Sequence, residues 1–269
     1  MLKNVNGIQY HFEIHGDGEP LLLLHGFTGS IENWRPLVPH LAKKFSVITV
    51  DLPGHGKTDS PTDFFRYDMS FVAADLVQLM HSLGHAYFHL VGYSMGGRLA
   101  LYLTIHYPSL VNKLVLESAS PGLKNLAEQE ARRTFDNQLA DRIEQDGIKK
   151  FVDFWESISL WESQKQLSPP LKLALRQIRL NNNPAGLANS LRGMGTGQQP
   201  SLWSKLKQIE SATLLITGQL DHKFCGIAAE MLPTLPNSQH DTVQQAGHTV
   251  QLEQPVIWLQ LTSDFLIKL

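Results

Sequence analysis

The strongest constraint in this sequence is a serine between two glycines at a predicted turn from strand to helix. Residues 92–96 read Gly-Tyr-Ser-Met-Gly, after a strand-like apolar run at 88–91 and at the start of a helical pattern that extends to residue 106. Such a turn crowds the positions two before and two after the serine, so both favour glycine. The Ser94 hydroxyl is left free beside unpaired helix N–H groups. The sequence therefore predicts a reactive serine on an α/β scaffold.

The rest of the chain alternates between strand-like and helix-like segments. Apolar residues repeat with a helical period at 69–83, and Pro255 opens a terminal helix pattern that ends near residue 267. This alternation predicts an α/β fold with a mostly parallel central sheet and helices on both faces. The predicted strands are residues 8–14, 20–24, 46–50, 88–91, 113–116, 213–217 and 238–243.

Residues 121–203 interrupt this alternation. They are rich in charged side chains and include apolar helical stretches at 148–160 and 171–180, without a convincing strand. We therefore expect a core formed by residues 1–120 and 204–269, with residues 121–203 inserted as a helical cap.

Composition excludes several classes of protein. The 23 basic residues nearly balance the 25 acidic ones and form no basic block, so nucleic acid is not an expected partner. No run approaches the roughly 18 apolar residues of a membrane span, and the first residues lack a signal-peptide pattern, so we expect a cytoplasmic protein without a membrane span. Cys225 is the single cysteine, and no His/Asp spacing resembles a metal site, so we predict no metal.

A serine hydroxyl needs an imidazole to accept its proton and a carboxylate to orient that imidazole. In this kind of sheet the acid and the histidine follow the serine in that order, after later strands. Asp221 comes after the predicted strand 213–217, and His248 after the next one, where open α/β sheets place their sites. Glu117, at the end of an earlier strand, is the alternative acid.

An oxyanion hole completes the predicted arrangement. Its donors are expected to be the backbone N–H of Met95, directly after the serine, and that of Phe27, in the loop after residues 20–24. Two such donors can stabilise negative charge in acyl transfer or in proton abstraction. His25 is expected to hold the loop of Phe27 rather than to act as a base.

These motifs resemble the α/β-hydrolase superfamily over essentially the whole chain. More narrowly, five segments resemble the family of 2-succinyl-6-hydroxy-2,4-cyclohexadiene-1-carboxylate (SHCHC) synthases: residues 25–30, 92–98, 117–123, 181–183 and 221–224. The resemblance implies a lyase of menaquinone and phylloquinone biosynthesis, without a cofactor. Its reaction is the 2,5-elimination of pyruvate from 2-succinyl-5-enolpyruvyl-6-hydroxy-3-cyclohexene-1-carboxylate, with Ser94 and His248 acting as the base.

A substrate with three carboxylates calls for donors that stay charged and bind planar anions, which arginine does. An arginine on an exposed helix is usually only a solvated charge, and Arg133 is the alternative to Arg132. Trp155 could equally belong to the cap core. The substrate-binding residues implied by the resemblance are Tyr93, Arg98, Arg132, Trp155 and Arg179.

Two other functions fit the same motifs. A carboxylesterase or C–C bond hydrolase would use Ser94 as a nucleophile and form an acyl-enzyme. A non-catalytic receptor would use the same residues only to line a ligand pocket. The predicted set of arginines favours the lyase, because an ester pocket has no need to gather three cations.

Overall fold

The fold is built on one eight-stranded sheet. In the computed structural model, which describes residues 1–268, the strands are β1 (Leu2–Val5), β2 (Ile8–His15), β3 (Glu19–Leu24), β4 (Phe45–Val50), β5 (Phe88–Tyr93), β6 (Val111–Glu117), β7 (Ala212–Gly218) and β8 (Ser238–Val243). Their order is β1-β2-β4-β3-β5-β6-β7-β8. The pairs β1–β2 and β2–β4 are antiparallel, and the pairs from β4 to β8 are parallel.

Helices cover both faces of the sheet and fill the long connection between β6 and β7. They are α1 (Val38–Leu41), α2 (Met69–Ser82), α3 (Met95–His106), α4 (Leu126–Trp155), α5 (Pro169–Leu180), α6 (Pro184–Met194), α7 (His222–Met231), α8 (Val250–Glu253) and α9 (Pro255–Ile267). Helix α4 is interrupted at Gly147, whose φ of +76° favours glycine. Short 3₁₀ helices occur at Ile31–Asn33, Phe64–Tyr67, Pro108–Leu110, Ser159–Gln166, Trp203–Gln208 and Leu232–Thr234.

The core lies in two layers, one on each face of the sheet. On one face, α2 buries the apolar stripe that predicted it, including Val72, Leu76 and Met80. On the other face, α1 and α9 pack through a cluster that contains Trp34 and Trp258, whose ring centroids are 5.7 Å apart. Because both faces are covered, the central parallel strands consist of continuous apolar runs.

The predicted α/β fold class is confirmed, and each predicted strand lies within two residues of an observed one. The prediction missed β1, a short edge strand without alternation, and helices α1, α6, α7 and α8. The predicted helix at 148–160 was wrong at both ends. The chain is helical from Leu126 and leaves the α-helix after Trp155, before the 3₁₀ helix Ser159–Gln166.

Helices α4, α5 and α6 occupy the segment predicted as an insertion. α4 packs against α6 through a separate apolar cluster that includes Leu139, Ile143, Leu187 and Leu191. The division of the chain at residues 121 and 203 stays a prediction. Among residues 1–268, none of the helices is both long and apolar enough to cross a bilayer.

Candidate active site

Ser94 occupies the turn between β5 and α3. Its φ of +52° and ψ of −108° are strained for a residue with a side chain. A Cβ atom at Gly92 would lie 2.4 Å from the carbonyl oxygen of Gly96, and one at Gly96 would lie 2.3 Å from that of Leu24. The tight turn therefore requires glycine on both sides of the serine, which is the physical basis of the motif.

The three side chains selected from the sequence form one hydrogen-bonded chain. Ser94 Oγ lies 2.9 Å from Nε2 of His248, and His248 Nδ1 lies 2.6 Å from Oδ2 of Asp221. Asp221 and His248 follow the carboxyl ends of β7 and β8. Because the carboxylate accepts a hydrogen bond from Nδ1–H, Nε2 of the neutral imidazole is left to accept the serine proton.

Two kinds of contact hold His248 in place. The Glu253 carboxylate accepts hydrogen bonds from the backbone N–H groups on either side of His248, from Gly247 at 2.8 Å and from Thr249 at 3.2 Å. Three aromatic rings surround the imidazole, with centroid distances of 5.6 Å for Tyr93, 5.7 Å for Trp161 and 4.6 Å for Phe224. The imidazole is thereby fixed in orientation.

Glu117, the alternative acid, lies elsewhere. Its buried carboxyl group accepts the backbone N–H of Gln251 at 3.1 Å, whereas Asp221 contacts the histidine. Burial raises the pKa of Glu117 to about 8. The side chain therefore packs behind the site largely as a neutral acid at neutral pH.

This buried acid makes the stability of the protein depend on pH. A glutamate in an unfolded chain titrates near about 4.3, so between that value and the folded pKa of about 8 the folded chain binds more protons. Its contribution to stability is present at low pH and is lost as the pH rises through this range. Glu117→Gln should remove this loss, so its unfolding free energy relative to wild type should increase between about pH 5 and pH 8. Denaturant unfolding at several pH values measures this, and a constant difference would contradict the assignment.

The predicted oxyanion donors lie beside Ser94. Among the described residues, neither the backbone N–H of Met95 nor that of Phe27 donates to another protein group. Both residues line the cavity over Ser94, the main cavity of the site. His25 holds the Phe27 loop, since its Nδ1 bonds the carbonyl oxygen of Gly26 at 2.8 Å and its Nε2 accepts the N–H of Leu52 at 3.0 Å. It is wholly buried in this structural role.

A cavity of about 460 Å³ opens over the serine. The buried side chain of Arg98 lines this cavity. Its Nη1 donates a hydrogen bond to Oε1 of Gln199 at 3.2 Å. Burial, and then the neighbouring Arg132, lower the pKa of Arg98 to about 10, which keeps it charged at neutral pH. Arg132 also lines the cavity, and its Nε donates to Asp136 at 2.7 Å. Two cations and the paired serine and histidine thus share one space.

Comparisons with known proteins agree with this fold. Residues 19–255 match the model of the alpha/beta hydrolase fold family. A relative from Bacillus subtilis (strain 168), which carries the provisional name SHCHC synthase, is 43% identical over 97% of this chain and 96% of its own length. The SHCHC synthase of Salmonella typhimurium is 31% identical over 90% of this chain and 92% of its own length. This chain belongs to the SHCHC synthase family of α/β hydrolases.

A solved structure of the same fold, MenH from S. aureus, superimposes closely on this family member. The TM-score is 0.91 at 35% identity, and the match covers 96% of this chain and 97% of that one. The agreement extends over helices α4 to α6 as well as the sheet.

The residues implied by the family resemblance do not all lie on the main cavity. Tyr93, Arg98, Arg132 and Trp155 line it. Arg179 does not, and its part in substrate binding stays a prediction. Its guanidinium lies 5.2 Å from the Trp161 ring centroid and lines a neighbouring cavity of about 340 Å³.

Arg179 is held there by polar partners in the segment between β6 and β7. It donates to Glu156 and to Gln164, each at 3.0 Å. Arg133, the alternative to Arg132, also lies outside the main cavity and pairs with Glu130 at 2.8 Å. The structure therefore selects Arg132 over Arg133 as a cavity residue.

Sequence reasoning missed part of the cavity wall. Trp161 and Phe224 both face His248, and Gln199 holds Arg98. Trp161 lies in a 3₁₀ helix without a periodic apolar pattern. Only its size and apolar surface could have indicated that it lines a cavity. Phe224 directly follows the Asp221–Lys223 stretch and was within reach of the resemblance.

Proposed function

We propose that this protein is an SHCHC synthase, a lyase that eliminates pyruvate from 2-succinyl-5-enolpyruvyl-6-hydroxy-3-cyclohexene-1-carboxylate. One observation carries the proposal: the cavity that holds Ser94 and His248 also holds Arg98 and Arg132. A base beside fixed cations suits a polyanionic substrate that must lose a proton.

The reaction begins with proton abstraction from the ring carbon that bears the succinyl ketone. His248 takes the Ser94 proton, and the serine oxygen takes the substrate proton at C2. The released electron pair forms the C2=C3 bond, the former C3=C4 pair moves to C4=C5, and the C5–O bond to the enolpyruvyl group breaks. The departing enolate receives the proton held by His248 and becomes pyruvate, which balances the elimination.

Charge that develops during this step lies on the ketone oxygen. The free N–H groups of Phe27 and Met95 are suited to bind that oxygen as it becomes enolate-like. Asp221 stabilises the imidazolium that forms when His248 accepts the proton.

Arg98 and Arg132 are proposed to bind substrate carboxylates. The buried carboxylate of Asp136 accepts a hydrogen bond from Nε of Arg132 at 2.7 Å. This contact orients the guanidinium over the cavity. Trp155 forms an apolar wall, edge-on to Phe27 at 5.5 Å between centroids. A volume of about 460 Å³ is within the usual range for small-molecule sites, roughly 300–1,000 Å³.

We also propose that residues 121–203 act as the cap of this site. Helix α4 supplies Arg132, Asp136 and Trp155, and the chain from α4 to α6 encloses the cavity above the sheet. The reactive serine and histidine belong to the core together with Arg98, and the cap contributes Arg132 and Trp155 to substrate binding.

The experiment that tests the function compares two substrates. The purified protein should release pyruvate from the enolpyruvyl substrate far faster than it hydrolyses a simple aryl ester. Efficient ester hydrolysis without pyruvate release would identify a hydrolase. Binding without turnover of either compound would identify a receptor.

A further inference from the structure

A series of buried hydrogen bonds connects the cap to the core beneath it. Arg179 Nη2 donates to Gln164 Oε1 at 3.0 Å, and Gln164 Nε2 donates to Thr249 Oγ1 at 3.0 Å. Thr249 Oγ1 in turn lies 2.8 Å from the Tyr93 hydroxyl oxygen. Four side chains from four different elements thus form one network.

The core end of this network adjoins both members of the base. Thr249 directly follows His248, and Tyr93 directly precedes Ser94. The Glu253 carboxylate accepts a hydrogen bond from the backbone N–H of Thr249 at 3.2 Å. The threonine is therefore fixed through its main chain and through its hydroxyl group. A shift of Thr249 would move His248 with it.

The cation sets the direction of the hydrogen bonds. A guanidinium can only donate, so Gln164 must turn its carbonyl oxygen to Arg179 and its NH₂ group to Thr249. Arg179, Gln164 and Thr249 are 5%, 7% and 3% exposed. Thr249 lines neither the main cavity nor its neighbour, so a partner lost at its hydroxyl is not replaced by solvent. The Gln164 amide therefore has one satisfied orientation, whereas either hydroxyl can be the donor between Thr249 and Tyr93.

We propose that Gln164 is a positioning residue that fixes His248 against Ser94 through Thr249. The inference rests on the proposed function for its kinetic consequence. Gln164 does not line the main cavity, so it acts through its neighbours and not on substrate. Proton transfer depends on the 2.9 Å contact between Ser94 and His248, and a misplacement of about 1 Å can cost roughly 100-fold in rate.

Three substitutions test this role. Thr249→Val removes the hydroxyl at nearly constant volume, Gln164→Met removes the amide, and Thr249→Ser keeps the hydroxyl. We expect kcat for pyruvate release to fall about tenfold in the first two, with KM for Thr249→Val within about twofold, and to stay near wild type in Thr249→Ser. The double variant should be no slower than Gln164→Met, because both changes break the same link.

Gln177→Met is the matched control. Gln177 is a cap glutamine whose amide bonds Asn181 at 2.7 Å on an exposed part of α5, so the variant should retain wild-type kcat. Thermal unfolding of all variants separates a loss of stability from a loss of rate. Unchanged kcat in Thr249→Val, or fully multiplicative losses in the double variant, would overturn the proposal.

Crystal structures of the unliganded variants provide a readout that needs no substrate. In Thr249→Val and Gln164→Met the distance between His248 Nε2 and Ser94 Oγ should exceed hydrogen-bond reach, about 3.2 Å, and in Thr249→Ser it should not. An unmoved His248 would overturn the positioning role even if kcat fell. Absence of pyruvate release by wild type would overturn the proposed function instead, and the displacement of His248 would still decide the present inference.

Discussion

Replacing Ser94 or His248 by alanine should lower kcat for pyruvate release by roughly 10² to 10⁴-fold, the usual contribution of a positioned general base. The two residues share one proton across a 2.9 Å contact. Either substitution therefore removes the same base, and the double variant should be about as slow as each single one. Water does not restore the rate, because it is a far weaker base than the positioned serine and histidine.

Ser120→Ala is the control for this pair. Ser120 lines the same cavity, but its hydroxyl accepts the backbone N–H of Gly122 at 3.4 Å and makes no contact with His248 among the described residues. It should keep most of the activity. Near-normal pyruvate release from Ser94→Ala or His248→Ala, with folding intact by circular dichroism, would exclude the serine and histidine from the mechanism.

Alanine at Arg98 or Arg132 should reduce kcat/KM for the tricarboxylate substrate about 10 to 100-fold. A charge-assisted hydrogen bond contributes roughly 1.5–3 kcal/mol, and a desolvated carboxylate left without its partner increases the loss. Turnover of a small neutral ester, where it is measurable, should barely change, because the ester presents no carboxylate. The difference between the two substrates isolates recognition of charge.

Arg133→Ala is the matched control for Arg132→Ala. The two arginines are adjacent in α4, but Arg133 pairs with Glu130 outside the main cavity. It should leave kcat/KM unchanged on both substrates. Equal losses on the tricarboxylate and on the ester in Arg132→Ala would mean that the Arg132–Asp136 pair only holds the cap together. No loss on the tricarboxylate would remove Arg132 from the substrate site.

Local rules explain why the sheet and the reactive serine could be predicted from the sequence. The glycines at positions 92 and 96 are required by contacts within a few residues of Ser94, and the apolar runs of β3 to β7 follow from burial on both faces. Asp221 and His248 could be located because the ends of parallel strands meet at one edge. Each of these inferences depends on short-range geometry or on topology.

The cap was less predictable, because its contacts join residues far apart in the chain. The first part of α4 buries few side chains, among them Asp136 and Leu139, so its apolar stripe is weak. The position of Arg179 depends on Glu156 and Gln164, which lie 23 and 15 residues earlier. Helical spacing does not encode such pairs, so the sequence could not show which cavity Arg179 lines.

The most direct test of the proposed function follows the fate of substrate and serine together. Purified wild-type protein is mixed with the enolpyruvyl substrate, pyruvate and the cyclohexadiene product are quantified, and the protein is quenched during turnover for intact mass spectrometry. We expect pyruvate and cyclohexadiene in equal amounts, formed much faster than with Ser94→Ala, and an unmodified Ser94 throughout. An acyl group on Ser94 during turnover, or products that have gained water without release of pyruvate, would contradict the proposed function.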